Sequence, residues 1–361
     1  MSPDPRPVLF VTNHAPAFRL GAFRALHERE EVSFALVGGE LRHGGGAGAD
    51  PQGFPVLRPR QRELARLAAS GRFRAVVAGL SGRVALPGAY LGARRAGVPF
   101  VLWATIWAHP RTAAHALSYM PLRHLYRRAD AIVTYGSHVT AYVRGKGAGQ
   151  TVVEAPQSVE NEFWSANSEP TRRAAFQAMF VGRMAGEKGI KVLFRAWRAS
   201  GLSAPNAALV LVGGGPIRAR AVATGAVLAE GPRTPEQVRN FYAGSHVVVL
   251  PSIPTRDFRE PWGLVVNEAF NQGVPVIATD AVGAVAGGLV RHEQTGLVVP
   301  AGDAAALGAA LTRLHDDPAL RRRLGGAARE AVRAYTHDAW AAGFSRGLGA
   351  VGASRVAEGG C

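Results

Sequence analysis

The sequence predicts an α/β protein of two domains, each a doubly wound parallel sheet, facing each other across a central cleft. Short apolar runs rich in Val, Ile and Phe alternate with longer Ala, Arg and Leu segments of helical period, which is the pattern of parallel βα units. That series of runs starts twice, on either side of a polar stretch from Gln157 to Arg173. At 361 residues the chain also exceeds what one hydrophobic core organises.

In the first series, strands are expected near Val8–Val11, Val32–Val37, Ala75–Ala78, Phe100–Trp103, Ala131–Thr134 and Val152–Glu154. In the second they are expected near Ala178–Val181, Ala208–Val212, Val247–Leu250, Val276–Ala278 and Gly296–Val299. Asp303–Leu314 and Pro318–Tyr335 read as closing helices. The expected domains are residues 1–165 and 166–338, with 339–361 as a Gly- and Ala-rich tail free to pack back on the first domain. The Gly-rich stretch His43–Asp50 reads as a plain surface loop, a mobile acceptor lid being the other reading.

Composition narrows the function. Hydrophobic residues at 47% and charged residues at 19% are those of an ordinary globular protein. The single cysteine is Cys361, so no internal disulfide and no cysteine-based metal site is expected, and a reducing cytoplasm fits. The apolar run behind Pro5 and Pro7 is too short for a signal peptide, and Arg83, Arg94 and Arg95 interrupt the best apolar stretch, so no membrane span is expected. A net charge of +16 invites a nucleic-acid or anionic-lipid reading, but the charge is scattered. Nearly all of it is arginine, the lysines being Lys146, Lys188 and Lys191, which makes Lys188 informative.

Three segments carry chemistry. In PSIPTRDFREPWGLVVNEAFNQG, Glu260 and Glu268 stand eight apart around Pro261-Trp262-Gly263. Pro261 suits a first helical position, so the helix is expected to start within EPWG and to present free backbone N–H groups to an anion. Glu260 then sits at the helix mouth, within reach of sugar hydroxyls, and Glu268 about two turns in, suited to the paired hydroxyls of a ribose. Equally open on these residues alone is that Glu260 only complements the helix dipole and Glu268 belongs to a polar stripe with Asn271 and Gln272.

In AMFVGRMAGEKGIKVLFRAW, a strand ends at Val181-Gly182 and a helix starts after Gly189, which places Arg183 and Lys188 in the connecting loop. Two fixed cations there would stabilise a diphosphate leaving group without a metal; a solvated loop with a Glu187–Lys188 pair is the plainer reading. The third segment, ALVLVGGGP, ends a buried strand in three glycines, which taken alone mark a tight turn.

The order of these segments, followed by EGPRTPEQVRNFYAGSHVVVLPS and closed by TGLVVPAGD, resembles the retaining glycosyltransferases of family 4, the group 1 transferases of GT-B architecture, built of two Rossmann-like domains. The resemblance is specific from about Phe180 to Asp303 and loose before it. It implies that Gly182, Arg183 and Lys188 surround the donor diphosphate, and that Glu260 contacts the donor sugar. By the same resemblance Trp262, Gly263, Leu264 and Val265 hold sugar and phosphate, Glu268 binds the ribose, and the segment Gly231–Arg233, with Arg233, flanks the base. It implies a UDP- or GDP-type nucleotide-sugar donor, no metal and no other cofactor. The acceptor would be a small molecule, an oligosaccharide or a lipid-linked glycan in cell-envelope or natural-product biosynthesis. No nucleic acid is expected.

The family's Gly-Phe-Gly is Pro261-Trp262-Gly263 here, and where the family often has an acidic residue this chain runs VGAVAGGLV. For the glycine-rich turn that the family places after its first strand, Gly21 is the only candidate. For the family's histidine near the reacting sugar, His109 is the first candidate and His14 its competitor. The basic segment Arg111–Arg128 reads as a helix packed on its sheet, the alternative being peripheral contact with anionic lipid at the inner face of the membrane. A sugar-nucleotide epimerase or pseudo-glycosyltransferase on the same fold, and a charge-driven binder of nucleic acid or anionic surfaces, are the rival functions.

Overall fold

A computed structural model describes residues 4–38, 53–80, 82, 84–217 and 227–356. The chain forms two compact units, residues 1–158 with 335–361, and residues 159–334. Both are parallel-sheet α/β units, as the alternating pattern predicts.

The first unit holds β1 (Val8–Thr12), β2 (Val32–Leu36), β3 (Val56–Leu57), β4 (Ala75–Gly79), β5 (Phe100–Ala104), β6 (Ala131–Thr134) and β7 (Thr151–Glu154). Their order is β3-β2-β1-β4-β5-β6-β7, all parallel. The chain begins in mid-sheet, winds to one edge and restarts at β4, so the topology reverses between β1 and β4. Strands β1, β4 and β5 are buried along their whole length, which is why they read as unbroken apolar runs.

One face of this sheet is covered largely by aromatic side chains. Phe23 stacks on Phe34 with centroids 4.4 Å apart, and Trp340 meets Phe344 at 4.4 Å. Trp340 belongs to the helix His337–Gly349, capped by Thr336 Oγ1 accepting from the Ala339 amide at 3.0 Å. Sequence patterning had read this segment as the start of a tail, because its spacers are alanines and glycines. Nearby, the Arg74 guanidinium donates to Glu30 Oε2 at 2.9 Å, with both side chains almost fully buried. Glu30 also accepts from Ser354 Oγ at 2.6 Å and from the Arg355 amide at 2.9 Å, and Arg74 Nε donates to the Ala353 carbonyl at 2.8 Å. The end of the chain is thereby tied to β4.

The second unit holds β8 (Phe176–Val181), β9 (Ala207–Val212), β10 (Val227–Gly231), β11 (Val247–Leu250), β12 (Val276–Thr279) and β13 (Gly296–Val299). The order β10-β9-β8-β11-β12-β13 is again all parallel, with its reversal between β8 and β11. The helix Ile190–Ala199 buries Ile190, Leu193, Ala196 and Trp197 against this sheet. The closing helices run Ala304–Asp316 and Pro318–Val332, each with an aspartate cap at Asp303 and Asp317. Strands β3 and β10 were not predicted; β3 is two residues long. The Gly-rich stretch His43–Asp50, Arg83 and Cys361 lie outside the described residues.

Candidate functional site

In a doubly wound sheet, ligands bind beyond the carboxyl ends of the strands, where the topology reverses. In the second unit that place lies beyond β8 and β11, and the sequence puts its chemistry there. β8 ends at Val181, and the loop that follows runs through Arg183 and the one-turn helix Gly186–Lys188 to Gly189. Gly189 has φ 70°, and a Cβ there would stand 1.8 Å from the Pro251 carbonyl oxygen, so only glycine lets this loop press on the chain leaving β11. The Ile253 amide donates to the Glu187 carbonyl at 3.0 Å and fixes that approach.

The consequence is a polar cluster. Lys188 Nζ donates to Glu260 Oε2 at 2.5 Å, and Ser252 Oγ donates to the same oxygen at 2.9 Å. The Lys188 ammonium also lies 5.0 Å from the centre of the Phe258 ring. Thr279 Oγ1 donates to the Ser252 carbonyl at 2.5 Å. Glu260 is only 6% exposed, and its backbone bridges to Val282, with the Gly283 amide donating to the Glu260 carbonyl at 3.1 Å. Gly283 admits this contact, since a Cβ there would meet the Pro261 carbonyl at 1.9 Å. A buried carboxylate and an ammonium drawn from loops 72 residues apart are thus locked together at the switch point.

The other predicted residues are placed as follows. Arg183 is paired through Nη2 with Glu187, four residues on in the same loop. Gly182 has φ 137° and lies against Gly213, whose own Cβ would meet the Gly182 carbonyl at 2.2 Å, so the glycines after β8 and β9 serve close backbone packing. Arg233 donates to Glu230 Oε2 at 2.9 Å, just beyond β10.

The helix predicted to start within EPWG starts instead at Val265, with Leu264 at its cap and Gly263 at φ 96° just before it. Pro261 follows directly on Glu260, whose backbone is held in a bridge to Val282, so the chain is still extended there and the helix begins later. Glu268 therefore lies in the first turn rather than two turns in. The Trp262 indole is turned inward, 3% exposed, and donates to Asn267 Oδ1 at 2.8 Å. By helix geometry the amides of Leu264 and Val265 precede the first intrahelical bond, in which the Glu268 amide donates to the Leu264 carbonyl.

Glu268 has a partner that sequence reasoning missed. Tyr242, from the helix Pro235–Gly244, donates its hydroxyl to Glu268 Oε2 at 2.7 Å. Burial pushes the Glu268 carboxyl up to about 7, the Tyr242 hydrogen bond working the other way. The Tyr242 phenol is itself pushed well above its ordinary value, first by burial and then by the Glu268 charge. Ser252 was also missed; its signal is its place two residues beyond β11, in VVVLPS.

The remaining candidates belong to the first unit. His109 lies in the loop after β5; its Nε2 bonds the His115 carbonyl at 2.8 Å and its ring meets Tyr119 at 5.1 Å. His14 lies between β1 and the helix Ala17–Glu30. Gly21 is inside that helix, so the expectation of a glycine turn after β1 is corrected: the connection is Asn13-His14-Ala15-Pro16. Among the described residues, no three His, Cys, Asp or Glu side chains are grouped to hold a metal ion. No helix among them is long and apolar enough to cross a membrane.

Residues 175–317 match the family described as glycosyl transferases group 1. Over 233 residues the chain is 31% identical to a GDP-mannose-dependent alpha-mannosyltransferase of Mycobacterium tuberculosis, a match covering 58% of this chain and 56% of that one. It is 27% identical over 263 residues to an alpha-D-kanosaminyltransferase of Streptomyces kanamyceticus, covering 65% and 66%. The matches thus span about half to two thirds of these relatives' length. Among solved structures, Anabaena HepE in complex with UDP aligns with a TM-score of 0.72 at 16% identity, covering 95% of this chain and 99% of that one. Sucrose-phosphate synthase of Thermosynechococcus elongatus aligns with a TM-score of 0.72 at 20% identity, covering 94% and 98%. The fold is therefore GT-B, and residues 175–317 match the group 1 glycosyltransferases.

Proposed function

We propose that the protein transfers a sugar from a nucleoside-diphosphate sugar to an acceptor hydroxyl, with retention of configuration and without a metal. The observation that carries this reading is the Lys188–Glu260–Ser252 cluster beyond β8 and β11. Each candidate phosphate-binding cation is held by an acid, Lys188 by Glu260 and Arg183 by Glu187. An incoming diphosphate takes the place of those carboxylates, and Glu260, released from Lys188, accepts a hydrogen bond from a donor-sugar hydroxyl. Glu268 takes the ribose hydroxyls, and the amides ahead of Val265 face the phosphates.

As the bond from the anomeric carbon to the phosphate oxygen breaks, Lys188 and Arg183 stabilise the charge that develops on the diphosphate. The acceptor oxygen attacks the face from which the phosphate departs, and a phosphate oxygen takes the acceptor's proton. The test is to supply UDP-, GDP-, ADP- and dTDP-sugars with chelator present and to follow nucleotide release and product configuration. Formation of a glycoside of the donor's configuration supports the reading; an isomerised sugar nucleotide without glycoside supports an epimerase.

The donor's base is UDP- or GDP-like in this reading, HepE having been solved with UDP and the mycobacterial relative being named for GDP-mannose. A cytoplasmic setting in cell-envelope or natural-product biosynthesis belongs to the same proposal. So does peripheral membrane contact through the helix Ala113–Arg128, from which Leu117 is 85% and Met120 is 62% exposed beside a basic last turn.

The position of Glu268 sets a pH dependence. Its carboxyl titrates near 7, and the ionised form accepts from both ribose hydroxyls, so nucleotide affinity rises between pH 6 and 8. In Glu268→Gln that proton-linked rise disappears, leaving only the part due to the phosphate itself. Equal pH dependence in the two proteins, measured by calorimetry, contradicts the role. Folding stability carries the opposite sign: the raised carboxyl contributes fully below its ordinary 4.5, and its contribution is lost as pH passes through about 7.

A further inference from the structure

Arg19 is a buried cation of the first unit. It is 4% exposed; among the described residues it has no carboxylate partner, Nη2 donates to Gln157 Oε1 at 2.5 Å, and Nη1 has no hydrogen-bond partner. Its guanidinium carbon lies 5.6 Å from the Trp103 ring centre, 5.5 Å from that of Trp340 and 5.3 Å from that of Phe18. Both tryptophans also hold buried indole N–H groups with no acceptor among the described residues. Desolvation pulls the Arg19 pKa down, the nearby Tyr135 phenol opposing it more weakly.

Its position makes the charge harder to explain as packing. Arg19 stands in the first turn of the helix Ala17–Glu30, which has no side-chain cap and no acidic residue in that turn. A cation at the positive end of a helix is disfavoured by the dipole, and a buried charge without a counter-ion is disfavoured by desolvation. Helical side chains tilt towards the N-terminus, so the guanidinium reaches back over the carboxyl ends of the strands, where Trp103 nears the end of β5 and Gln157 follows β7. Donors outnumber acceptors there among the described residues: one arm of the Arg19 fork and two indole N–H groups have no acceptor, Gln157 Oε1 takes the other arm, and by helix geometry the amides of Ala17 and Phe18 precede the first intrahelical bond.

We propose that this cluster is a second anion site, in which Arg19, Trp103 and Trp340 at the N-terminus of the helix Ala17–Glu30 hold an oxyanion of phosphate type. The phosphate is either free or carried on a polyol, and in the transferase reading a carried one would belong to an acceptor. The anion site itself does not depend on that reading.

The test is thermal unfolding of the full chain titrated with inorganic phosphate, and separately with glycerol 3-phosphate, at constant ionic strength. All variants are built on Lys188→Ala, so that the second unit's cation takes no part. The parent should show saturable stabilisation, and Arg19→Gln should move its midpoint upward by about tenfold or more, the worth of one good charge-assisted contact. Trp103→Phe keeps an aromatic ring, though a smaller one, and removes the indole donor; it should weaken binding a few-fold, and it serves as the test if Arg19→Gln does not fold. A lower midpoint for glycerol 3-phosphate than for inorganic phosphate assigns the site to a carried phosphate, and the reverse assigns it to the free ion. No saturable effect in the parent, or the same midpoint in the parent and both variants, overturns the proposal.

Discussion

Lys188→Ala is expected to lower turnover about a hundredfold while leaving the protein folded, because removing one preorganised charge from a developing anion costs 10²–10³ in rate. Lys188 bonds a carboxylate that is 6% exposed, in a loop pinned by Gly189 against Pro251, so its ammonium is held in a fixed place. Pre-placement is what converts a surface charge, worth little in water, into a catalytic one. The loss should appear in kcat as well as in KM, since the interaction strengthens as the leaving group departs. Lys191, three residues on and exposed on the helix Ile190–Ala199, is the control; Lys191→Ala should leave the rate unchanged. Equal kcat for the Lys188→Ala variant and the parent would remove Lys188 from the mechanism.

Arg74→Ala is expected to cost about 3–5 kcal/mol of stability, the range for removing one partner of a buried ion pair. The reason is what stays behind. Glu30 would keep its bonds from Ser354 and the Arg355 amide but lose its cation in a site from which water is excluded, and the Ala353 and Arg6 carbonyls would lose their donor. Glu30→Gln, which keeps the shape and leaves Arg74 uncompensated, should be destabilising as well. Urea unfolding followed by circular dichroism reads both. A change under about 1 kcal/mol, the scale of an exposed pair, contradicts the account.

The sheets were legible because parallel strands buried on both faces are unbroken apolar runs, and eleven of them were placed from Val8–Val11 to Gly296–Val299 within a few residues. The edge strand β3 has two half-buried residues, too few for any periodicity. The helix His337–Gly349 was missed because its buried Gly343 and Gly347 look like breakers in sequence. In the fold, a Cβ at Gly343 would stand 2.6 Å from that of Ala155, so the glycine is there for close packing.

At the site, Arg183, Lys188, Glu260 and Glu268 were singled out by the order of their segments, which resembles the family's, since each residue taken alone also suits a solvated loop or a polar helix face. Their pairing was not legible: Lys188 with Glu260 depends on Gly189 and Gly283 admitting backbone to backbone, and Tyr242 reaches Glu268 only through the packing of two helices. Pro261 misled because its fixed φ suits an extended bridge as well as a helix start.

The measurement that bears most directly on the central claim is calorimetric titration of the chain and of Lys188→Ala with UDP, GDP, ADP and dTDP, with chelator and again with Mg²⁺. The account predicts that one nucleotide binds selectively with chelator present, and that Lys188→Ala loses that binding. If none of the four binds under either condition, or if Lys188→Ala binds as tightly as the parent, the cluster beyond β8 and β11 is not a nucleotide-sugar site.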